Sequence, residues 1–297
     1  MHPYMSIAII YDEMHPLLER VYATLIKKNF NTEFIHWSEI RIAAAPNEVT
    51  SNLDKFSAIF MDRLAEFRCS YHSQFIQLAN LPSVNDAIIN QPLSYQLARD
   101  KALTAIYLGK LGFPIPETHI FQSLNQFNEF LLNKDIALVA KSTLGFCSNE
   151  VQIFAAKNPP LDEIKKWLNR DGQFIIQSLI ENPGRFIWRC DIVSGEVKVC
   201  NKRYAFNSGG LYPICNGTHG GHIEILPPEK FDNLATALAI DAVKALGLDI
   251  AGVDIIEEAG RNFYLIEVNP EPDILMDRFE FPDAIAELLI NKARKVA

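Results

Sequence analysis

The sequence predicts an α/β protein in three parts: an N-terminal parallel α/β domain over 1–92, a linker helix with a central α+β lid over 93–178, and a C-terminal antiparallel-sheet lobe over 179–297. Three observations carry this reading. The chain opens on a strand–helix–strand pattern, its middle mixes short strands with one helix, and its last third carries adjacent strand runs split by turn residues. A length of 297 residues also suits two or three packed lobes better than one core.

Ser6 to Ile10 is β-rich, Pro16 to Lys28 sets Leu17, Val21 and Leu25 at helical spacing, and Thr32 to Trp37 is again strand-like, which is a βαβ unit. A strand at Ser57 to Met61 and a helix around Tyr71 to Ala79 complete the first domain before Asn90, Gln91 and Pro92 interrupt it. One helix is expected from Ser94 to about Leu111, ended by Gly112 ahead of Pro114 and Pro116. The lid then reads as strands Ile136 to Ala140 and Glu150 to Phe154, a helix Leu161 to Leu168 and a strand Gln173 to Ile176. Phe186 to Val193 and Val197 to Tyr204 flank Ser194 and Gly195, a hairpin signal. Five of the 14 glycines fall at 209, 210, 217, 220 and 221, where the chain must turn sharply or approach something closely. An Ala-rich helix from Asp232 to Leu246, capped by Gly247, leads to strands Ala251 to Ile256 and Asn262 to Val268.

Composition narrows the function classes. With 28 basic and 36 acidic residues the net charge is −8, so no overall field attracts nucleic acid or an anionic membrane, and neither is expected as a partner. The apolar run Ile7 to Ile10 is too short for a signal segment or a span. Five cysteines without C-x-x-C spacing fit neither a zinc site nor a disulfide framework, and a reduced cytoplasm is the expected location. Trp37, Trp167 and Trp188 read as core or rim aromatics.

The stretch AGVDIIEEAGRNFYLIEVNP places its acids geometrically. If Gly260 and Arg261 form a two-residue turn, Asp254 pairs directly with Glu267, and alternation puts Asn269 on the same face. Facing acids on such apolar strands repel unless a hard cation such as Mg²⁺ sits between them, and Mg²⁺ keeps phosphate oxygens among its ligands. Lys101, Lys141 and Arg203 are the cations available for that phosphate. Lys141 ends the strand ALVAK and precedes STLGFCSNE, a loop whose backbone N–H groups can bind oxygen. Neither a Walker A string nor G-x-G-x-x-G occurs.

Taken together, Asn90 with DKALTAIYLGKLGFPIPET, ALVAK, QSLI, the strand bearing Arg189, the Lys202–Arg203 pair, N-G-T-H-G-G, and AGVDI followed by IEVNP resemble the ATP-grasp superfamily. Within it the pattern is similar to RimK-like carboxylate-amine ligases, over roughly residues 85 to 275 with the motifs in order. The resemblance implies that Lys101 and Lys141 bind ATP phosphates, that Gln177, Ser178, Leu179 and Ile180 line the adenine pocket, and that Asn216 touches the nucleotide. It implies two magnesium ions, replaceable by Mn²⁺, on Asp254, Glu267 and Asn269. Arg203 falls near the transferred phosphate and reacting carboxylate, with Arg189 as a second arginine nearby. The expected chemistry joins a small carboxylate to an amine, such as an amino acid, a peptide or a protein C-terminus, through an acyl phosphate, releasing ADP and phosphate. The alternative is a non-catalytic ATP-binding protein of the same fold. A homo-oligomer is compatible with either.

The chain departs from the family pattern at several places. Only Gly145 remains in the loop after Lys141, and Ile187 stands where relatives commonly carry an acid for the ribose, a task Glu181 or Asp191 could take over. After Asn269 the chain reads Pro270, Glu271, Pro272, Asp273, whose two acids could receive a cationic amine, and His219 could serve it as a base. Whether Arg189 shares a face with Arg203 depends on the hairpin: a two-residue loop separates them, a three-residue loop unites them.

Overall fold

A computed structural model describes residues 5–62, 77–144, 150–205, 221–271 and 280–296. In the first domain β1 (Ser6–Tyr11), α1 (Pro16–Lys27) and β2 (Asn31–His36) form the expected βαβ unit, with β1 and β2 parallel from Ser6↔Asn31 onward. After β2 the chain makes an exposed hairpin of β3 (Ile42–Ala45) and β4 (Glu48–Ser51) that the sequence pattern did not announce; Asn47 turns it at φ +65°. β5 (Ala58–Met61) returns beside β1 on the side away from β2. The helix expected around Tyr71 to Ala79 lies mostly outside the described residues, and α2 (Pro82–Ala87) then leads into the short β6 (Ile88–Ile89). The sheet order is β2-β1-β5-β6. Ile7 to Ile10 form an unbroken apolar run because both faces of a parallel sheet are covered.

The helix expected from Ser94 to Leu111 is two helices, α3 (Pro92–Arg99) and α4 (Lys101–Lys110). Asp100 breaks them. Its backbone leaves the helical region (φ −86°, ψ 111°), and its carboxylate accepts hydrogen bonds from the N–H groups of Ala102 and Leu103 at 2.8 and 3.1 Å. A short acid that can cap its own backbone competes with helix continuation. Lys101 therefore starts a helix, and its N–H donates to the Thr143 carbonyl at 3.0 Å, beside Lys141.

The central lobe holds β7 (Thr118–Phe121), α5 (Leu124–Leu131), β8 (Ala137–Ser142), β9 (Val151–Ala155), α6 (Leu161–Asp171) and β10 (Phe174–Ser178), in the antiparallel order β7-β10-β8-β9. β7 and α5 were not among the expected elements, although Ser123-x-x-Gln126 is a helix-start signature; the Ser123 hydroxyl accepts from the Asn125 N–H at 3.2 Å. One face of this sheet buries Phe121, Phe154 and Phe174 with Phe127 and Trp167. Strand alternation puts Val139, Lys141, Ile175 and Gln177 on the other.

The C-terminal sheet runs β13-β12-β11-β14-β15, built from β11 (Phe186–Val193), β12 (Glu196–Tyr204), β13 (Ile223–Leu226), β14 (Ile250–Glu257) and β15 (Phe263–Asn269). Helix α7 (Asn233–Leu246) lays Ala235, Ala239, Ala242 and Val243 over Cys190, Ile192, Cys200, Val253 and Ile255. That leaves the opposite face for function. The last helix, α8 (Phe281–Val296), follows the C-terminal lobe in sequence but packs Phe281, Ile285 and Leu289 against Ile7, Ile9 and Leu17 of the first domain. It also meets Val193, Val199 and Ile250, so it joins the two lobes.

Candidate active site

Two one-residue bulges assemble the functional face. Ser194 and Gly195 form a two-residue hairpin loop with φ +55° and +78°, which in a regular ladder would put Arg189 and Arg203 on opposite faces. The register shifts after Asp191↔Val199, leaving Lys198 unpaired before Ile192↔Val197. Beyond that bulge Arg189 faces Asn201 and Ile187 faces Arg203, so both arginines lie on one face.

The second hairpin reaches its predicted pairing by a different route. Its turn has three residues, Ala259, Gly260 and Arg261, because Glu258 N–H donates to the Asn262 carbonyl at 2.8 Å and Glu257 pairs with Phe263. That loop alone would have set Asp254 against Ile266. A bulge at Ile266 restores the register, and Asp254 stands directly opposite Glu267, with Asn269 opposite Gly252. On its other side Asp254 pairs with Arg189. Asp254, Glu267, Asn269, Arg189, Asn201 and Arg203 thus share one face.

Arg189 is buried and held on that face: its Nε donates to Asp191 at 2.9 Å and its Nη1 reaches both oxygens of Asp254 at 3.3 Å. Asp191 is fully buried in this pairing, so it cannot turn outward to a ribose as the sequence reading allowed, whereas Glu181 is exposed. Arg203 is half-buried, and its Nε donates to the Asn201 Oδ1 at 3.2 Å. Lys202 points the other way, over the rings of Phe186 and Trp188. All three tryptophans are buried.

The lysines close the other side. Lys101 Nζ lies 3.0 Å from Glu267 Oε1. Lys141 is buried, not snorkelling from a strand end, and burial pushes its pKa from 10.5 down to about 8; Glu267 pulls it up, Lys101 lowers it further, and Asp254 raises it. Burial works against ionisation of Glu267, yet Lys101, Lys141 and Arg189 together hold its carboxyl below the ordinary value. Ser142, Asp171 and Glu150 are gathered by Arg170, whose Nη2 donates to Ser142 Oγ and Glu150 Oε2, each at 2.8 Å. This brackets the segment after Lys141. A slot lined by Leu108, Ile115, Gln177, Leu265 and Val268 runs between α4, β10 and β15, with Lys101 and Glu267 among its walls. Gln177 is buried with its Nε2 donating to Thr118 Oγ1 at 3.0 Å, and Ser178, Leu179 and Ile180 are half-buried where the chain passes between sheets.

Asp254, Glu267 and Asn269 fit a magnesium site by donor chemistry. They offer hard oxygen ligands on one patch, and Asn269 Nδ2 already lies 3.2 Å from Asp254 Oδ2. Among the described residues no group of three or more His, Cys, Asp and Glu forms a metal cluster, since the third member here is an amide. Asn216, His219, Gly145, Asp273 and glycines 209, 210, 217 and 220 lie outside the described residues. Glu271 is engaged by the hydroxyl of the buried Tyr95, which argues against a free acid awaiting an amine.

Asn90 is a latch between lobes that the sequence pattern does not announce. Its Nδ2 donates to the carbonyls of Ile250 (2.8 Å) and Pro270 (2.6 Å), while its Oδ1 accepts from the N–H groups of Asp249 (2.8 Å) and Ile250 (3.0 Å). Its φ of +56° was a signal available only as an Asn before Gln-Pro.

Two antiparallel sheets with a lysine-lined slot between them, beside paired acids at the end of a hairpin, have the architecture of an ATP-grasp fold. Residues 98–291 match the RimK-like ATP-grasp domain, and the chain belongs to that family. It is 22% identical over 275 residues to the glutamate–LysW ligase ArgX of Sulfolobus acidocaldarius, covering 91% of each chain. It is 29% identical over 198 residues to the tetrahydromethanopterin:α-L-glutamate ligase of Methanosarcina acetivorans, spanning 63% of this chain and 58% of that one. Its fold matches that of PsnB, an ATP-grasp ligase solved with a phosphomimetic variant of its minimal precursor, Mg and ADP, with a TM-score of 0.70 at 14% identity over 98% of this chain and 99% of that one. No helix among the described residues is long and apolar enough to cross a membrane.

Proposed function

We propose that the protein is an ATP-dependent carboxylate–amine ligase, forming an amide bond through an acyl phosphate and releasing ADP and phosphate. The observation that supports it most is the convergence of Lys101 and Glu267, 3.0 Å apart, with Asp254, Asn269, Arg189 and Arg203 on one sheet face. In this reading ATP lies in the slot between β10 and β15, with the adenine along Gln177 to Ile180 and Asn216 also at the nucleotide. Lys101 and Lys141 hold the phosphates. Asp254, Glu267 and Asn269 would hold Mg²⁺, which supplies charge neutralisation between phosphate oxygens.

The substrate carboxylate attacks the γ-phosphorus of ATP, the bond to the bridging oxygen breaks, and ADP departs. Arg203 faces the reacting carboxylate and the developing charge, as a guanidinium that stays ionised and binds oxygen in bidentate fashion. Arg189 adds positive charge beside Asp254. The amine then attacks the acyl carbon, phosphate leaves, and the amine's extra proton passes to solvent or a base. An amino acid or peptide is the substrate class, by analogy with the glutamate ligases and the precursor-peptide ligase.

The test is ADP release by purified protein with Mg·ATP and a panel of carboxylates with amino acids. Turnover lost in Glu267→Ala supports the ligase. Magnesium-dependent ATP binding without turnover across the panel identifies instead a non-catalytic ATP-binding protein, and no ATP binding overturns both.

A further inference from the structure

We propose that Asn201 is a positioning residue for Arg203, aiming its guanidinium at the substrate carboxylate and transferred phosphate while adding no charge of its own; this rests on the ligase reading above. The bulge at Lys198 brings Asn201 to the functional face, directly opposite Arg189 and two residues before Arg203. On its other side it pairs with Ile225 of β13, which is 38% exposed, so this stretch of the face opens to solvent.

The Arg203 Nε–H donates to Asn201 Oδ1 at 3.2 Å. Arginine carries donors only, so the amide must present its oxygen to Arg203 and turn its Nδ2 away. Nε adjoins the aliphatic stem, and a bond there fixes the plane of the guanidinium, with both Nη groups lying beyond it. Asn201 itself is fully buried, and its Nδ2 has no hydrogen-bond partner. A buried donor left open costs stability that leucine, of the same branched shape, would not incur. Packing therefore does not account for an amide at this position, whereas the bond to Arg203 does.

The two arginines of this face are held differently. The charge of Arg189 is matched by Asp191 and Asp254, at 2.9 and 3.3 Å. Arg203 is tied at Nε by a neutral amide. A carboxylate at position 201 could accept the same hydrogen bond, but its charge would offset the guanidinium that has to meet a carboxylate and a phosphate. The amide supplies direction without that loss.

The test uses the full chain with Mg·ADP, titrated calorimetrically with inorganic phosphate as the probe of the transferred group. NMR follows the Arg203 Nε–H, identified by its loss in Arg203→Lys. Asn201→Ala should weaken phosphate binding about ten-fold, with Mg·ADP affinity within about two-fold, and should speed solvent exchange of that N–H by about ten-fold or more. Asn201→Asp should keep the N–H protected yet also weaken phosphate about ten-fold. In the Arg203→Lys background, adding Asn201→Ala should change phosphate affinity by less than about two-fold, because the amide acts through Nε. Mg·ADP affinity also reports that each variant is folded; if Asn201→Ala is not, Asn201→Leu replaces it as the variant without an acceptor. The proposal is overturned by unchanged phosphate affinity or N–H exchange in the acceptor-free variant, by wild-type phosphate affinity in Asn201→Asp, or by an equal loss in the Arg203→Lys background. A wild-type Mg·ADP complex that binds no phosphate overturns it too. Failure of the ligase reading appears separately, as wild-type protein that binds no Mg·ADP, and exchange of the Arg203 Nε–H with and without the Asn201 acceptor then still decides the positioning.

Discussion

The guanidinium of Arg189 occupies the space a side chain at Gly252 would fill: a Cβ built there stands 1.8 Å from Nη2 and 2.1 Å from Cζ. Gly252 is thus required by an arginine two strand positions away from its own pairing partner, Asp191. Gly252→Ala must push the guanidinium off Asp191 and Asp254. We expect a loss of about 1–3 kcal/mol in unfolding free energy, measured by denaturant titration. Unchanged stability would show that Arg189 has room to move.

Lys141 gives the protein a signature in pH. Its folded value of about 8 lies below the ordinary 10.5, so between these limits the unfolded chain holds the extra proton and stability from this group rises with pH. Below pH 8 the net cost of keeping it charged in the fold, on the order of 3 kcal/mol, is fully present. Binding a triphosphate favours the charged form, so at pH 8 Mg·ATP should take up about half a proton. Calorimetry in buffers of different ionisation enthalpy measures this. Glu267→Gln removes a charge that raises the Lys141 value and should move the uptake to lower pH.

The bulge at Lys198 can be tested by deletion. Removing Lys198 restores a regular two-residue hairpin and turns Asn201 and Arg203 toward the apolar face under α7. Lys198→Ala keeps the bulge. The deletion should abolish Mg·ATP turnover or folding, whereas the alanine variant should stay within about 0.5 kcal/mol of wild type in thermal unfolding.

Arg170 fastens the two ends of the segment after Lys141, at Ser142 and Glu150. Its carboxylate contacts raise its own pKa and help hold Glu150 below the usual range. Arg170→Ala should weaken Mg·ATP binding about ten-fold, with a smaller effect on the rate at saturating ATP. Nucleotide affinity unchanged from wild type would separate this clamp from phosphate binding.

Much of the molecule was legible locally. The β1-α1-β2 unit, the Ser194–Gly195 hairpin and the acids of β14 and β15 are written in alternation and turn residues, which act over a few positions. Asp100 was harder. An Ala- and Leu-rich surrounding favours one long helix, while the break depends on a carboxylate capping its own backbone and on Thr143 receiving the next N–H.

The sequence by itself determined which residue types stand at the site: paired acids near a hairpin turn, a lysine in an apolar strand, an arginine on the strand after Gly195. Tertiary structure decided which way they face. Bulges at Lys198 and Ile266 set the registers of Arg203 and Glu267, and nothing in the local alternation marks them, because a bulge is chosen by how a strand packs between its neighbours. The same holds for Asn90 and for α8, whose partners lie 160 residues and a whole chain length away. Their contacts exist only once the lobes have closed on one another.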